Sequence, residues 1–124
     1  MQTEILMALN GSTRTIGKNV PELQEVDQSS FETEVLQYER PIMVDFWAPW
    51  CEPCKVMMPI LEDIAAGTSL RIVKVNVEEN ADLAAKYRVS SIPMLVLFNQ
   101  GSQAKKIVGV QTKEDVLSKI AGLY

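Results

Sequence analysis

Apolar and polar positions along the chain fall into short blocks of two kinds, and the kinds alternate. From Leu23 the pattern becomes regular. A brief first strand leads into a stretch where Ser29 and Glu32 suit a helix start and Phe31, Val35 and Leu36 line one face. Pro41 ends that helix. Ile42 to Trp47 is an apolar run with the length and content of a strand covered on both sides. Helical spacing returns after Cys54 at Val56, Met57, Ile60, Leu61 and Ile64, with Pro59 expected to kink the helix and Gly67 to close it. Leu70 to Val77 alternates as a strand does, and Asn80 stands ready to cap a helix through Leu83, Ala84 and Tyr87. Met94 to Phe98 is a further buried strand. A turn at Asn99-Gln100-Gly101 sends the chain back along Ala104 to Val110. Thr112 with Asp115 then starts a last helix, whose Val116, Ile120 and Leu123 face inward.

The order is β-α-β-α-β-α-β-β-α. Alternating strands and helices closed by a hairpin predict an α/β fold: a mixed central sheet flanked by helices on both faces. Residues 1–21 are different. They are rich in Gly, Ser, Thr and Asn, their periodicity is weak, and Asn10-Gly11-Ser12 reads as a turn. They are expected to form a partly ordered extension, and residues 22–124 the domain. No internal repeat is visible.

Composition narrows the classes of function. The chain has 124 residues, 47% of them hydrophobic, enough for one well-covered core without disulfide staples. Its formal charge is −4 and no basic run exceeds two residues, so nothing is built to neutralise phosphates and nucleic acid is not an expected partner. No stretch reaches the ~18 apolar residues a membrane span needs. Met1 to Leu9 carries Glu4, lacks Lys and Arg and has only a short apolar run, unlike a secretory signal. A reducing cytoplasm and a monomer are the expectation.

Two cysteines occur, Cys51 and Cys54, and histidine is absent. The missing imidazole removes Cys-His nucleophile pairs and most zinc sites. Half a zinc site would need two further ligands, leaving only a metal shared between two chains as the alternative. A purely structural disulfide here would clamp two intervening residues in a compartment that reduces it. The pair sits where a strand delivers the chain into a helix. Unpaired amides and the helix dipole favour an anion there, so Cys51 is the thiol whose pKa is depressed. Thiol–disulfide exchange runs through a mixed disulfide, which casts Cys51 as attacking nucleophile and Cys54, one turn on, as resolving thiol.

Phe46-Trp47-Ala48-Pro49-Trp50-Cys51-Glu52-Pro53-Cys54-Lys55 resembles the active-site segment of the thioredoxin family, and the likeness in element order covers roughly Leu23 to Leu123. The resemblance implies a thioredoxin-like fold and a protein-disulfide reductase whose redox centre is the Cys51–Cys54 disulfide, with no cofactor and no metal. It implies two kinds of partner. One is a thioredoxin reductase, of NADPH/flavin or ferredoxin type, that returns the electrons; the other is disulfide-containing client proteins. Asp45 resembles the family's buried carboxylate, able to take the proton Cys54 must lose. Lys74 resembles the lysine beside that carboxylate. Ser91-Ile92-Pro93 resembles the loop that faces the cysteines, where the proline is cis and the Ile92 backbone is offered to a substrate strand. Trp50, Pro49 and Gly109 fall where the family has its apolar docking surface, while Trp47 packs beside the site.

Two departures from the family pattern stand out. Glu52 replaces the glycine usual between the cysteines, and a carboxylate there opposes ionisation of Cys51 and, with Pro53, tunes the pair. Met94 replaces the usual threonine after the cis proline, and either reshapes the groove or fills the core. Two other readings accompany the reductase. One is a disulfide isomerase or oxidase, against which the Glu-Pro dipeptide argues. The other is a binding module with the same fold and no redox role.

Overall fold

The structure, a computed structural model, describes residues 22–124. The expected extension, with its Asn10-Gly11-Ser12 turn, lies outside the described residues. In chain order the elements are β1 (Gln24–Glu25), α1 (Gln28–Phe31, widening into a π-helical turn over Glu32–Leu36), β2 (Ile42–Trp47) and α2 (Glu52–Gly67). There follow β3 (Arg71–Asn76), α3 (Ala81–Lys86), β4 (Met94–Asn99), β5 (Ser102–Val108) and α4 (Lys113–Ile120). The strands form one mixed sheet in the order β1-β3-β2-β4-β5. β2 lies in its centre, parallel to β3 and antiparallel to β4.

Strand periodicity divides the core into two layers. Ile42, Val44 and Phe46 of β2 join Val73, Val75, Val96 and Phe98 on one face, against Phe31 and Val35 of α1, Leu83 of α3 and Tyr87 just past its end. Met43 points the other way. With Ile72, Leu95, Leu97 and Ile107 it meets Met57, Leu61 and Ile64 of α2 and Val116 and Ile120 of α4. Helices therefore cover both faces, as the alternation of elements predicts. By the same parity Asp45, two residues after Met43, faces the α2 side. It is the one charged residue buried in that strand.

Several local details differ from the sequence expectation. α1 starts two residues earlier than Ser29 and Glu32 indicate. Asp27 caps it by accepting from the Ser30 amide at 3.0 Å, and Ser30 Oγ accepts in return from the Asp27 amide at 3.2 Å. A carboxylate outcompetes the serine for the free amides of the first turn. Asn80 does not cap α3 with its side chain. It accepts from the Gln28 amide at 2.9 Å and donates to the Asn76 carbonyl at 3.0 Å, fastening the start of α1 to the end of β3. Pro59, by contrast, does not end α2, as expected, although it forfeits the amide bond to the Lys55 carbonyl. Gly67 is its last residue, but Thr68 makes the closing bonds, donating to the Ile64 carbonyl at 2.7 Å and accepting from Leu70 N at 3.2 Å. The hairpin strand begins at Ser102 rather than Ala104, because Gln100 and Gly101 both take positive φ (52° and 85°) and turn the chain within two residues. A register shift between Leu97 and Phe98 absorbs the remaining offset.

The α1/α3 layer is anchored by three aromatic rings. Phe98 meets Tyr87 edge-on at 5.3 Å and Phe31 at 5.8 Å. Phe98→Ala is expected to cost about 3–5 kcal/mol in urea unfolding, the range for deleting a buried aromatic side chain. An unchanged midpoint would mean that the layer closes over the gap.

Candidate active site

The junction between β2 and α2 sets the site. β2 ends at Trp47, Ala48 is fully buried, and the chain passes through exposed Pro49 and Trp50 before the helix begins. Cys51 occupies the cap position of α2 in extended conformation (φ −91°, ψ 103°), and its Sγ accepts from the Cys54 amide at 3.2 Å. A sulfur in that position takes the place of a capping oxygen and receives one of the amides a helix start leaves unpaired. Pro53 sits in the first turn, where its missing N–H costs nothing. Cys51 and Cys54 form a disulfide, their Cα atoms 5.3 Å apart. Cys54 is wholly buried, and Cys51 keeps 4% of its surface exposed.

The Ile92–Pro93 peptide bond is cis. The loop it shapes brings the Ile92 carbonyl oxygen to 3.9 Å from Cys51 Sγ. Ile92, Trp47 and Val77 pack against Ala48 and the two cysteines. Gly109, at φ +87°, donates its amide to the Pro93 carbonyl at 2.9 Å and so ties the loop to the end of β5. Trp50 is 63% exposed and donates its indole N–H to the Glu78 carboxylate. Val108 and Val110, flanking Gly109, are also exposed. Met94 is buried in the α1/α3 core layer, which favours core filling over the groove. Glu52 projects into solvent and pairs with Lys55 at 2.8 Å, so the carboxylate between the cysteines has a counter-ion of its own.

Asp45 is fully buried, and neither carboxylate oxygen has a hydrogen-bond partner. Burial pushes its pKa up to about 7; the positive charge of Lys74 opposes the rise and the negative charge of Glu25 adds to it. Lys74 faces Asp45 in the parallel register of β2 and β3. Its ammonium makes no hydrogen bond to Asp45 and lies 3.9 Å from Glu25 Oε1 and 5.0 Å from the centre of the Trp47 ring. Trp47 donates its indole N–H to Glu25 Oε2 at 3.2 Å. The sequence reading did not single out Glu25. Its proximity to Lys74 follows from strand register in a two-residue strand, which leaves no periodic trace. Among the described residues no group of three or more His, Cys, Asp or Glu side chains is arranged to hold a metal ion.

The buried carboxyl has a consequence for stability. Its proton is held to about pH 7 in the fold and lost near 3.8 in the unfolded chain. Between those values the folded state binds the extra proton, so stability falls as pH rises through that window and stays low above it. A shift of about three units corresponds to about 4 kcal/mol. Asp45→Asn, neutral throughout, is expected to match the parent near pH 4 and exceed it by about 3 kcal/mol near pH 8 in urea unfolding of the disulfide form. A constant difference across pH would mean that Asp45 titrates alike in the folded and the unfolded chain.

A disulfide closed across the first turn of a helix, in a mixed α/β sheet and facing a cis-proline loop, defines a thiol–disulfide oxidoreductase. Comparison with known proteins gives the family. The family model described as Thioredoxin matches residues 22–122. A thioredoxin of Mycobacterium tuberculosis is 42% identical over 99 residues, 78% of this chain and 85% of its own. One from Rickettsia prowazekii is 39% identical over 100 residues, 79% of this chain and 95% of its own. A bifunctional thioredoxin reductase/thioredoxin of Mycobacterium leprae is 39% identical over 109 residues, 86% of this chain but 24% of that longer protein. The chain belongs to the thioredoxin family, and its activity is protein-disulfide reduction by a redox-active disulfide.

Proposed function

We propose that Cys51 is the attacking sulfur and Cys54 the resolving one. The observation that carries this is their asymmetry: Cys51 retains access and accepts a helix-start amide, whereas Cys54 is wholly buried. In the reduced protein the Cys51 thiolate attacks one sulfur of a client disulfide. An S–S bond forms between Cys51 and that sulfur while the client's second sulfur leaves as thiolate. Cys54 then gives its proton to Asp45, and its thiolate attacks Cys51 Sγ. The Cys51–Cys54 bond forms, the client's first sulfur leaves, and two electrons have passed to the client. A carboxyl with pKa about 7 is matched to accepting a thiol proton near neutrality. Lys74 modulates it from the neighbouring strand. Trp50, Pro49 and Gly109 form the apolar docking rim, and the Ile92–Pro93 backbone receives the client segment as an added strand.

A thioredoxin reductase closes the cycle by returning two electrons to the disulfide; the relative from Mycobacterium leprae carries both names in one protein. The setting is electron transport among cytoplasmic proteins, with the chain acting as a monomer. No helix among the described residues is long and apolar enough to cross a membrane.

Cys54→Ser, reduced and mixed with a disulfide-containing client, is expected to accumulate a mixed disulfide on Cys51, while Cys51→Ser accumulates none and has no reductase activity. Trapping on the opposite cysteine in the reciprocal variant would reverse the roles. A Cys51→Ser protein that still served its partners would favour the binding module. Glu52→Gly, which also frees Lys55, is expected to let Cys51 react with an alkylating probe at lower pH. An unmoved profile would remove Glu52 from the tuning of the site.

A further inference from the structure

β1 is two residues long and lies at the edge of the sheet, yet it sends a carboxylate toward the site. Gln24 and Glu25 pair in parallel with Val73 and Lys74, and the Val26 amide donates to the Lys74 carbonyl at 2.8 Å, so the backbone of β1 is pinned beside Lys74. Both oxygens of Glu25 are engaged: Oε1 lies 3.9 Å from Lys74 Nζ, and Oε2 accepts the Trp47 indole N–H at 3.2 Å. The Lys74 ammonium also lies over the Trp47 ring. Glu25, Lys74 and Trp47 thus form a closed triangle. Asp45, register neighbour of Lys74, is left without a partner for either oxygen.

We propose that Glu25 is a positioning residue for the resolving step: its carboxylate draws the ammonium of Lys74 and the indole of Trp47 to the sheet edge, so that Asp45 keeps no counter-ion of its own. This rests on the reading of Asp45 as proton acceptor. Lys74 stands between two carboxylates, one half-exposed and one buried, and the half-exposed one holds it. That choice follows from access. Glu25 reaches the ammonium at the rim, where solvent and the indole complete its surroundings, whereas an approach to Asp45 would take the charge out of water.

The charges acting on Asp45 are Lys74 from β3 and Glu25 from β1. On β4 its register neighbour is apolar Leu95, and the cysteine pair at the start of α2 carries no charge as a disulfide. Removing the charge of Glu25 therefore acts twice in one direction. It deletes a negative charge and frees the Lys74 ammonium to favour the ionised form of Asp45.

The test follows the Asp45 carboxyl carbon by NMR against pH in the disulfide form of the full chain, with no turnover involved. Glu25→Gln is expected to lower the titration midpoint by about half a unit to one unit, the effect of rebalancing one partly solvated charge. Adding Glu25→Gln to a Lys74→Met background is expected to give a smaller shift, because only the direct repulsion is then lost. An unmoved midpoint in Glu25→Gln, with or without a fall in urea stability, overturns the proposal. So does an undiminished shift in the Lys74→Met background, which would leave Glu25 acting as a bare charge. Failure of the underlying reading looks different: Asp45→Asn would then leave single-turnover release of the mixed disulfide unchanged, whatever the midpoint does. With both correct, the acid limb of that release moves to lower pH in Glu25→Gln, in step with the midpoint.

Discussion

The central strand Ile42–Trp47 is paired along both edges and covered on both faces, and almost everything else in the molecule takes its position from that fact. Such a strand can be apolar throughout at no cost, but it has no room for water to solvate an exception. Asp45 is the exception. Its place in the strand fixes which face it serves. The helix that follows must then leave the strand end on that same face, since the α2 core residues meet Met43 there. Strand, carboxyl and dithiol form one unit because a single stretch of chain turns once, from Trp47 into Cys51.

The carboxyl sets stability against chemistry. Burial favours the protonated form of Asp45, so the pH range in which the proposed base is ionised is the range in which the fold loses free energy. A direct ion pair with Lys74 would ease that cost and lower the affinity of the Asp45 carboxyl for a proton. The lysine instead sits with Glu25 and Trp47, and Asp45 is left unpaired. Local rules give way at the redox site, where a carboxyl is buried without a partner.

Much of this was legible in the sequence where an apolar period is strong. β2, β4 and α2 announce themselves through Ile42–Phe46, Met94–Phe98 and the Met57-Leu61-Ile64 stripe, and a carboxylate inside an apolar strand marks Asp45. The features that escaped depend on competition or on register. Ser29 and Glu32 fit a capping template, but Asp27, two residues earlier, offers the better acceptor. Asn80 precedes a helix as a cap does, yet its amide finds partners on α1 and β3, sites that only folding brings near. The cis bond before Pro93 came from the family resemblance alone, because most X-Pro bonds are trans. Glu25 has no local signature at all; its meaning lies in the strand beside it.

The tie between Gly109 and Pro93 bears on how the chain acquires its activity during synthesis. Both cysteines leave the ribosome early, about forty residues ahead of the loop that will face them and further still ahead of the glycine that fastens it. Until β4 docks antiparallel on β2 and β5 folds back, the two thiols belong to a strand-and-helix fragment with no wall opposite. On the proposed reading of the Ile92–Pro93 loop, the part of the docking surface opposite the cysteines is acquired last, and a truncated product would carry the reactive pair without that wall.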